Sequence, residues 1–378
     1  MRRRIAPVAA ALAASLLIQP AAGAGDFASV VLAYAPAPGQ FVNAPAFNDP
    51  SRALGPPTGG GSASPDNSGL VTLGGFGGSI TLAFDRPVLD DPRNAMGLDC
   101  IVFGNAFWPS GDPTARAAEA GVIEIALDAN GNGIADDAWY LIPGSHLAPP
   151  VARQDETWDD DPATPTPPAV VSWFPAGATS PMTTAAFRLP AVFESAFLIS
   201  EGAPAETFAG YADLSPTLIL GDMTGADGSP GDNSLADPED DPAIDPSVFY
   251  TTPDDPLTVG IDPGSGGGDA FDIAWAVEPA TGAPANLPGF HFIRISTGVH
   301  AIAGPLGEVS TEIDAVADVR PAVALPEDLT GDGAVDGRDI TVVLNLWGAR
   351  VSFADLNGDG TVNGADITAI LNAWRPAP

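Results

Sequence analysis

Oxygen ligands at a regular spacing are the clearest chemistry this chain offers. Two twelve-residue segments share one pattern: Asp328, Thr330, Asp332, Ala334, Asp336 and Asp339 in the first stand where Asp355, Asn357, Asp359, Thr361, Asn363 and Asp366 stand in the second. These are positions 1, 3, 5, 7, 9 and 12 of a loop wrapped around one calcium ion, a hard cation that takes six to eight oxygens at about 2.4 Å. Ala334 and Thr361 would supply backbone carbonyls. Gly333 and Gly360 fall at position six, where the sharp turn requires a residue tolerant of positive φ. Val335 and Val362 at position eight are the apolar residues expected to pack one loop against the other. Thr330 offers a neutral hydroxyl at position three, so the first site is expected to be the weaker. A third candidate, Asp128, Asn130, Asn132 and Asp136, begins in the same way but has Trp139 at position twelve. A calcium-stabilised hairpin and a plain Asn-Gly turn both fit it.

After each loop the apolar residues change to helical spacing: Ile340, Val343, Leu344 and Trp347, then Ile367, Ile370, Leu371 and Trp374. Helices this short are not stable alone, so the two stripes are expected to pack on each other and the unit to fold with metal. Two loops of this form, each followed by Asp-Ile-Thr and a short amphipathic helix, resemble a type I dockerin over Asp328 to Trp374. The resemblance implies calcium binding, with two ions in this unit, and docking onto a cohesin-like module of a glycan-degrading assembly. Loop positions ten and eleven are Gly337-Arg338 and Gly364-Ala365, where dockerins that recognise cohesins commonly carry small hydroxyl residues. The resemblance therefore implies calcium binding more directly than cohesin recognition.

Ahead of this unit, period-two apolar runs broken by Gly, Pro, Asn and Asp predict strands: Ile80, Leu82 and Phe84; Ile123, Ile125 and Leu127; Phe271, Ile273, Trp275 and Val277. Phe290 to Ile295 is apolar on both faces, as in a strand inside a sandwich. The fold class expected is mainly β, a jelly-roll-like β-sandwich followed by a small α-helical calcium-binding module. Residues 151–168 and 222–269 read as long loops, the second rich in Asp, Pro, Gly and Ser. Three blocks, Leu73 to Asn105, Asp128 to Tyr140 and Gly268 to Ile313, resemble a family of uncharacterised bacterial secreted or cell-surface proteins. That resemblance implies an exported surface protein and no established activity.

The N-terminus has a basic start at Arg2-Arg3-Arg4, an apolar run from Ile5 to Ile18 and Ala22-Gly23-Ala24, the pattern of a cleaved secretory signal. The expected organisation is a signal peptide at 1–24, a sandwich at 25–319, a linker at 320–327 and the calcium module at 328–378, in a secreted or cell-surface protein without a membrane span. A formal charge of −34 argues against nucleic acid as a partner. Cys100 is the only cysteine, which leaves neither a disulfide framework nor a thiolate cluster and reads as a buried core thiol.

Catalytic signals are sparse. His146, His291 and His300 form no H-E-x-x-H, and no G-x-S-x-G elbow is present. Glu308 and Glu312 are a conceivable glycosidase pair, but among 48 acidic residues they read first as the end of a strand and its turn. Trp108, Trp158 and Trp173 are candidates for stacking on a sugar ring. Three roles stand open: a non-catalytic recognition or scaffold sandwich with a module for tethering or docking, a carboxylate-dependent glycan-degrading component of an extracellular assembly, and a structural envelope protein. The corresponding partners are a cohesin-like module, an intramolecular dock, or glycan.

Overall fold

The computed structural model describes residues 26–62, 65–107, 117–143, 211–220, 246–254, 261, 264–298, 308–321 and 325–376, with the backbone of short strands between 151 and 209. Residues 1–24, His146, His300, Trp108 and Trp173 lie outside the described residues, as do the side chain of Trp158 and most of the 151–168 and 222–269 stretches.

In chain order the strands are β1 (Val30–Ala35), β2 (Val71–Thr72), β3 (Ser79–Leu89), β4 (Cys100–Phe103), β5 (Gly121–Ala126) and β6 (Trp139–Ile142). Six short strands follow: β7 (Val151–Ala152), β8 (Glu156–Trp158), β9 (Met182–Thr184), β10 (Arg188–Leu189), β11 (Val192–Phe193) and β12 (Phe208–Ala209). The last four are β13 (Asp269–Phe271), β14 (Gly289–Thr297), β15 (Glu312–Ile313) and β16 (Ala315–Asp318). Helical segments are the single turn α1 (Pro246–Phe249) and the longer α2 (Gly337–Asn345) and α3 (Gly364–Asn372).

The larger sheet runs β1-β3-β14-β5-β6 and is antiparallel throughout. Its central register aligns Leu82, Ile293 and Ile125 in one row and Ile80, Ile295 and Ile123 in the next, all fully buried. Because side chains alternate along a strand, Arg294 and Glu124 fall on the opposite face, where they pair at 2.7 Å with the guanidinium 4.4 Å from the Trp139 ring.

The second sheet, β13-β4-β16, has β4 at its centre. Cys100 and Val102 point with Phe271 and Val316 into the core formed by Ile80, Leu82, Ile123, Ile125, Ile293 and Ile295, which makes the main body a two-layer sandwich. Ile101 and Phe103 face the other way, into a second cluster with Ala315, Ala317, Leu218, Phe249 and Tyr250. A sheet buried on both faces explains the unbroken apolar run of β4. The predicted alternation from Phe271 to Val277 stops early. Asp272 Oδ1 accepts the Ala274 N–H at 2.7 Å and Asp99 Oδ2 accepts that of Ile273 at 2.9 Å, turning Ile273–Trp275 into a 3-10 helix.

The C-terminal helices have their own core, in which Leu329, Val335, Val343, Ala354, Val362 and Ile370 are buried. Val335 exchanges backbone hydrogen bonds with Arg375 at 2.8 and 2.9 Å, while Val362 bonds to Gly348 and Ala349 at 2.8 and 2.9 Å. Each loop is thereby joined to the segment that follows the other repeat's helix.

Candidate calcium and docking site

Backbone N–H groups organise both acidic loops. Asp328 Oδ1 and Oδ2 accept from Asp332 and Gly333 at 3.2 and 2.7 Å, and Asp355 accepts from Asp359 and Gly360 at 3.2 and 2.8 Å. The turn that permits this places Gly331, Gly333, Gly358 and Gly360 at φ between 68° and 86°, conformations in which a side chain would be strained.

The loop ends are also helix caps. Asp336 and Asp339 form a capping box on α2, and Asn363 and Asp366 do the same on α3. Asp339 and Asp366 are fully buried, and their Oδ2 atoms accept the N–H of Asp336 and Asn363 at 2.8 and 2.7 Å. In the first loop the Thr330 hydroxyl lies 3.2 Å from both Asp328 Oδ1 and Asp339 Oδ1, which draws positions 1, 3 and 12 together. In the second, Asn363 Nδ2 donates to the Thr361 carbonyl at 2.7 Å, and Asn357 Nδ2 donates to Asp359 at 3.0 Å. Converging oxygens of this kind, with neither sulfur nor nitrogen donors, fit a hard cation such as calcium. Arg338, at position eleven, pairs with Asp332 and holds that carboxyl below its usual range. Hydrogen bonds from Asn357 and Asn363 do the same for Asp359.

The hairpin at Asp128 starts as these loops do. Asp128 Oδ1 and Oδ2 accept from Asn132 and Gly133 at 3.0 and 2.8 Å, and Gly131 and Gly133 have φ of 70° and 72°. Asn130 Oδ1 accepts from Asn132 N at 2.9 Å, and Asp136 gathers the Asn130 and Asn132 amides at 3.4 and 3.3 Å. Position twelve differs, because Trp139 sits in β6 beneath Arg294. His291 accepts the Asp128 N–H at 3.3 Å, a structural use of that side chain.

The helical stripes divide in a way their spacing did not predict. Val343 and Ile370 are buried between the helices and Ile340 and Ile367 pack beside them, but Leu344, Trp347, Leu371 and Trp374 are 55%, 56%, 54% and 46% exposed. The interhelix space is already filled by the two position-eight valines, Leu329 and Ala354. Apolar residues beyond that space are left facing outward, in equivalent positions on the two repeats. Large exposed apolar side chains grouped in this way mark an interaction surface.

Sequence reasoning also missed the junction with the sandwich. Arg93, nearly buried, pairs with Asp91 at 2.7 Å and donates from Nη1 to the Pro326 and Asp328 carbonyls at 3.1 and 3.2 Å. Its guanidinium lies 5.3 Å from the Phe353 ring centroid. Asp91 and Arg93 are in a turn after β3, with nothing in their spacing to signal this role.

Residues 326–373 match the family model of the Dockerin type I domain. Such domains bind calcium, typically engage cohesin modules and occur in extracellular assemblies, so the C-terminal unit has a calcium-binding, protein-docking character. No curated protein matches the chain, and the resemblance of the three blocks between Leu73 and Ile313 rests on their motifs alone. Among the described residues no helix is long and apolar enough to cross a membrane.

Proposed function

We propose that this is an exported modular protein whose C-terminal unit, folded around two calcium ions, attaches a β-sandwich to an extracellular protein partner. The observation that carries this reading is the duplicated outward face of Leu344, Trp347, Leu371 and Trp374. It lies on a unit that matches a docking domain. The proposed calcium ligands are Asp328, Thr330, Asp332, the Ala334 carbonyl, Asp336 and Asp339 in one loop. In the other they are Asp355, Asn357, Asp359, the Thr361 carbonyl, Asn363 and Asp366. A further ion at Asp128, Asn130, Asn132 and Asp136 is supported by the same Asp-to-N–H geometry at the loop start. The sandwich acts as a recognition or scaffold element, and residues 1–24 direct export and are cleaved, so that the mature chain begins near Gly25.

The partner chemistry is an apolar protein surface of the cohesin type, engaged in the calcium-loaded state. An intramolecular dock through Arg93 and Phe353 is compatible with this, because it leaves both tryptophans exposed. The test is calorimetric binding of the mature chain to a panel of cohesin modules, with calcium and with chelator. Calcium-dependent binding that is lost on replacing Trp347 and Trp374 by Ala supports the proposal. Binding that survives those substitutions, or no binding to any of them in calcium, refutes docking by this face.

A further inference from the structure

Three carboxylates from distant parts of the chain converge inside the sandwich. Glu119 lies two residues ahead of β5, Asp213 follows the buried Tyr211 and Ala212, and Glu312 opens β15 opposite Thr72. One oxygen of each lies within 4.8 Å of those of the other two. Their backbones are tied together: the Glu119 N–H donates to the Asp213 carbonyl at 3.0 Å, and the Glu119 carbonyl accepts the Thr311 hydroxyl at 2.7 Å. Asp213 Oδ1 accepts the N–H of Asn105 and Ala106 at 2.9 and 3.0 Å, and its Oδ2 accepts that of Glu312 at 3.0 Å. A Cβ at Gly104 would overlap Asp213 Oδ1, so the chain leaves that position bare. The Gln40 amide, itself buried, donates to Glu119 Oε1.

Charge balance is what this arrangement lacks. No arginine forms an ion pair with any of the three among the described residues. Glu312 is 2% exposed, and its Oε1 is buried without a hydrogen-bond partner. The Glu312 carboxyl meets the side chains of Glu119 and Asn105, but a buried carboxylate oxygen left with neither donor nor counter-charge is strongly unfavourable, so the cluster requires protons or a cation.

We propose that Glu119, Asp213 and Glu312 hold a calcium ion that joins these three segments, with the unpartnered Glu312 Oε1 as one of its ligands. The donor set contains only oxygen, which selects a hard cation over zinc or iron. Glu119 is only partly buried and gives the ion a way in. In a chain with a single cysteine, such an ion cross-links the sandwich where no disulfide can form.

The test counts ions on the mature full-length chain by equilibrium dialysis and elemental analysis. Asp128→Ala, Asp328→Ala and Asp355→Ala together silence the three surface loops. In that background one calcium per chain is expected to remain and to raise the melting temperature of the sandwich. Adding Glu312→Gln, which preserves shape, is expected to reduce the count to none and abolish the calcium-dependent rise. Glu119→Gln, at the more exposed member, is expected to weaken binding about tenfold or more and serves if the Glu312 variant does not fold. A folded background chain that binds no calcium overturns the assignment, as does an ion bound equally well in both carboxamide variants. Failure here leaves the docking proposal untouched, since that depends on the loops this background removes.

Discussion

The C-terminal loops and the sandwich trio treat their carboxylates in opposite ways. In the loops, Asp328 and Asp355 each receive two N–H groups from residues four and five positions further on, and glycines in left-handed conformations make that turn possible. The site is local, partly solvated, and continuous with the capping boxes of α2 and α3. In the sandwich, Glu119, Asp213 and Glu312 come together only because β5, β15 and the segment after β4 are already packed. On the proposals made above, metal would organise the fold where ligands are local, and would secure a site that the fold has organised where they are distant.

The strongest way to break that comparison is to remove calcium altogether. With chelator, the C-terminal unit is expected to lose the far-UV circular dichroism of α2 and α3, because six buried residues are a small core. The sandwich, with two clusters of its own, is expected to keep its strands. Retained helix in chelator would place the unit's stability in packing rather than in metal.

Next in size is the junction. Arg93→Ala leaves Asp91 nearly buried and unpaired and releases the Pro326 and Asp328 carbonyls. A loss of about 3 kcal/mol is expected, and scanning calorimetry should separate one transition into two. A single unshifted transition would show that the two regions are not coupled through this arginine.

Smaller, and confined to binding, is the outward face. Trp347→Ala is expected to cost about 2 kcal/mol of partner affinity, roughly 30-fold, while changing stability by no more than about 0.5 kcal/mol. Urea unfolding beside the calorimetric titration distinguishes the two, since a core role for Trp347 would show in the unfolding curve.

A separate effect is that of pH on the sandwich in chelator. Burial raises Asp99 and Asp318 to about 8, the latter against the pull of Arg86. The folded chain therefore keeps protons that the unfolded chain has shed above about pH 4. Their contribution to stability is complete below that value and is lost as pH rises through about 8. Urea midpoints measured from pH 5 to 8 should fall steadily, and a flat profile would mean that neither group retains its proton on folding.

What could be read from the residues follows the same division. The loops were legible because their oxygens, glycines and position-eight valines recur at fixed intervals, and Val335 and Val362 are indeed buried. The faces of β3 and β5 were legible because period two fixes which side chains share a side. The end of β13 was not, because it depends on Asp99 reaching the Ile273 N–H from another strand's entrance. Nor was the trio, whose members are separated by most of a sheet's worth of chain. Glu312 looked like the end of a strand, yet it lies within β15 and faces inward with Ser310, Thr311 and Asp314 also buried around it. Two acids, Glu312 and Asp314, one residue apart in the run that leads into Ala315 and Val316 were the available signal. The outward tryptophans were misjudged because helical spacing tells which residues share a stripe, not how wide a stripe the facing helix can cover.

Arg93 has one more effect, on direction. By holding the carbonyl of the first loop's leading aspartate and lying against Phe353, it gives the C-terminal unit a bearing. A partner that gripped the tryptophans, as proposed, would therefore meet the sandwich at a set angle, like a key with a fixed handle, rather than as a weight on a cord.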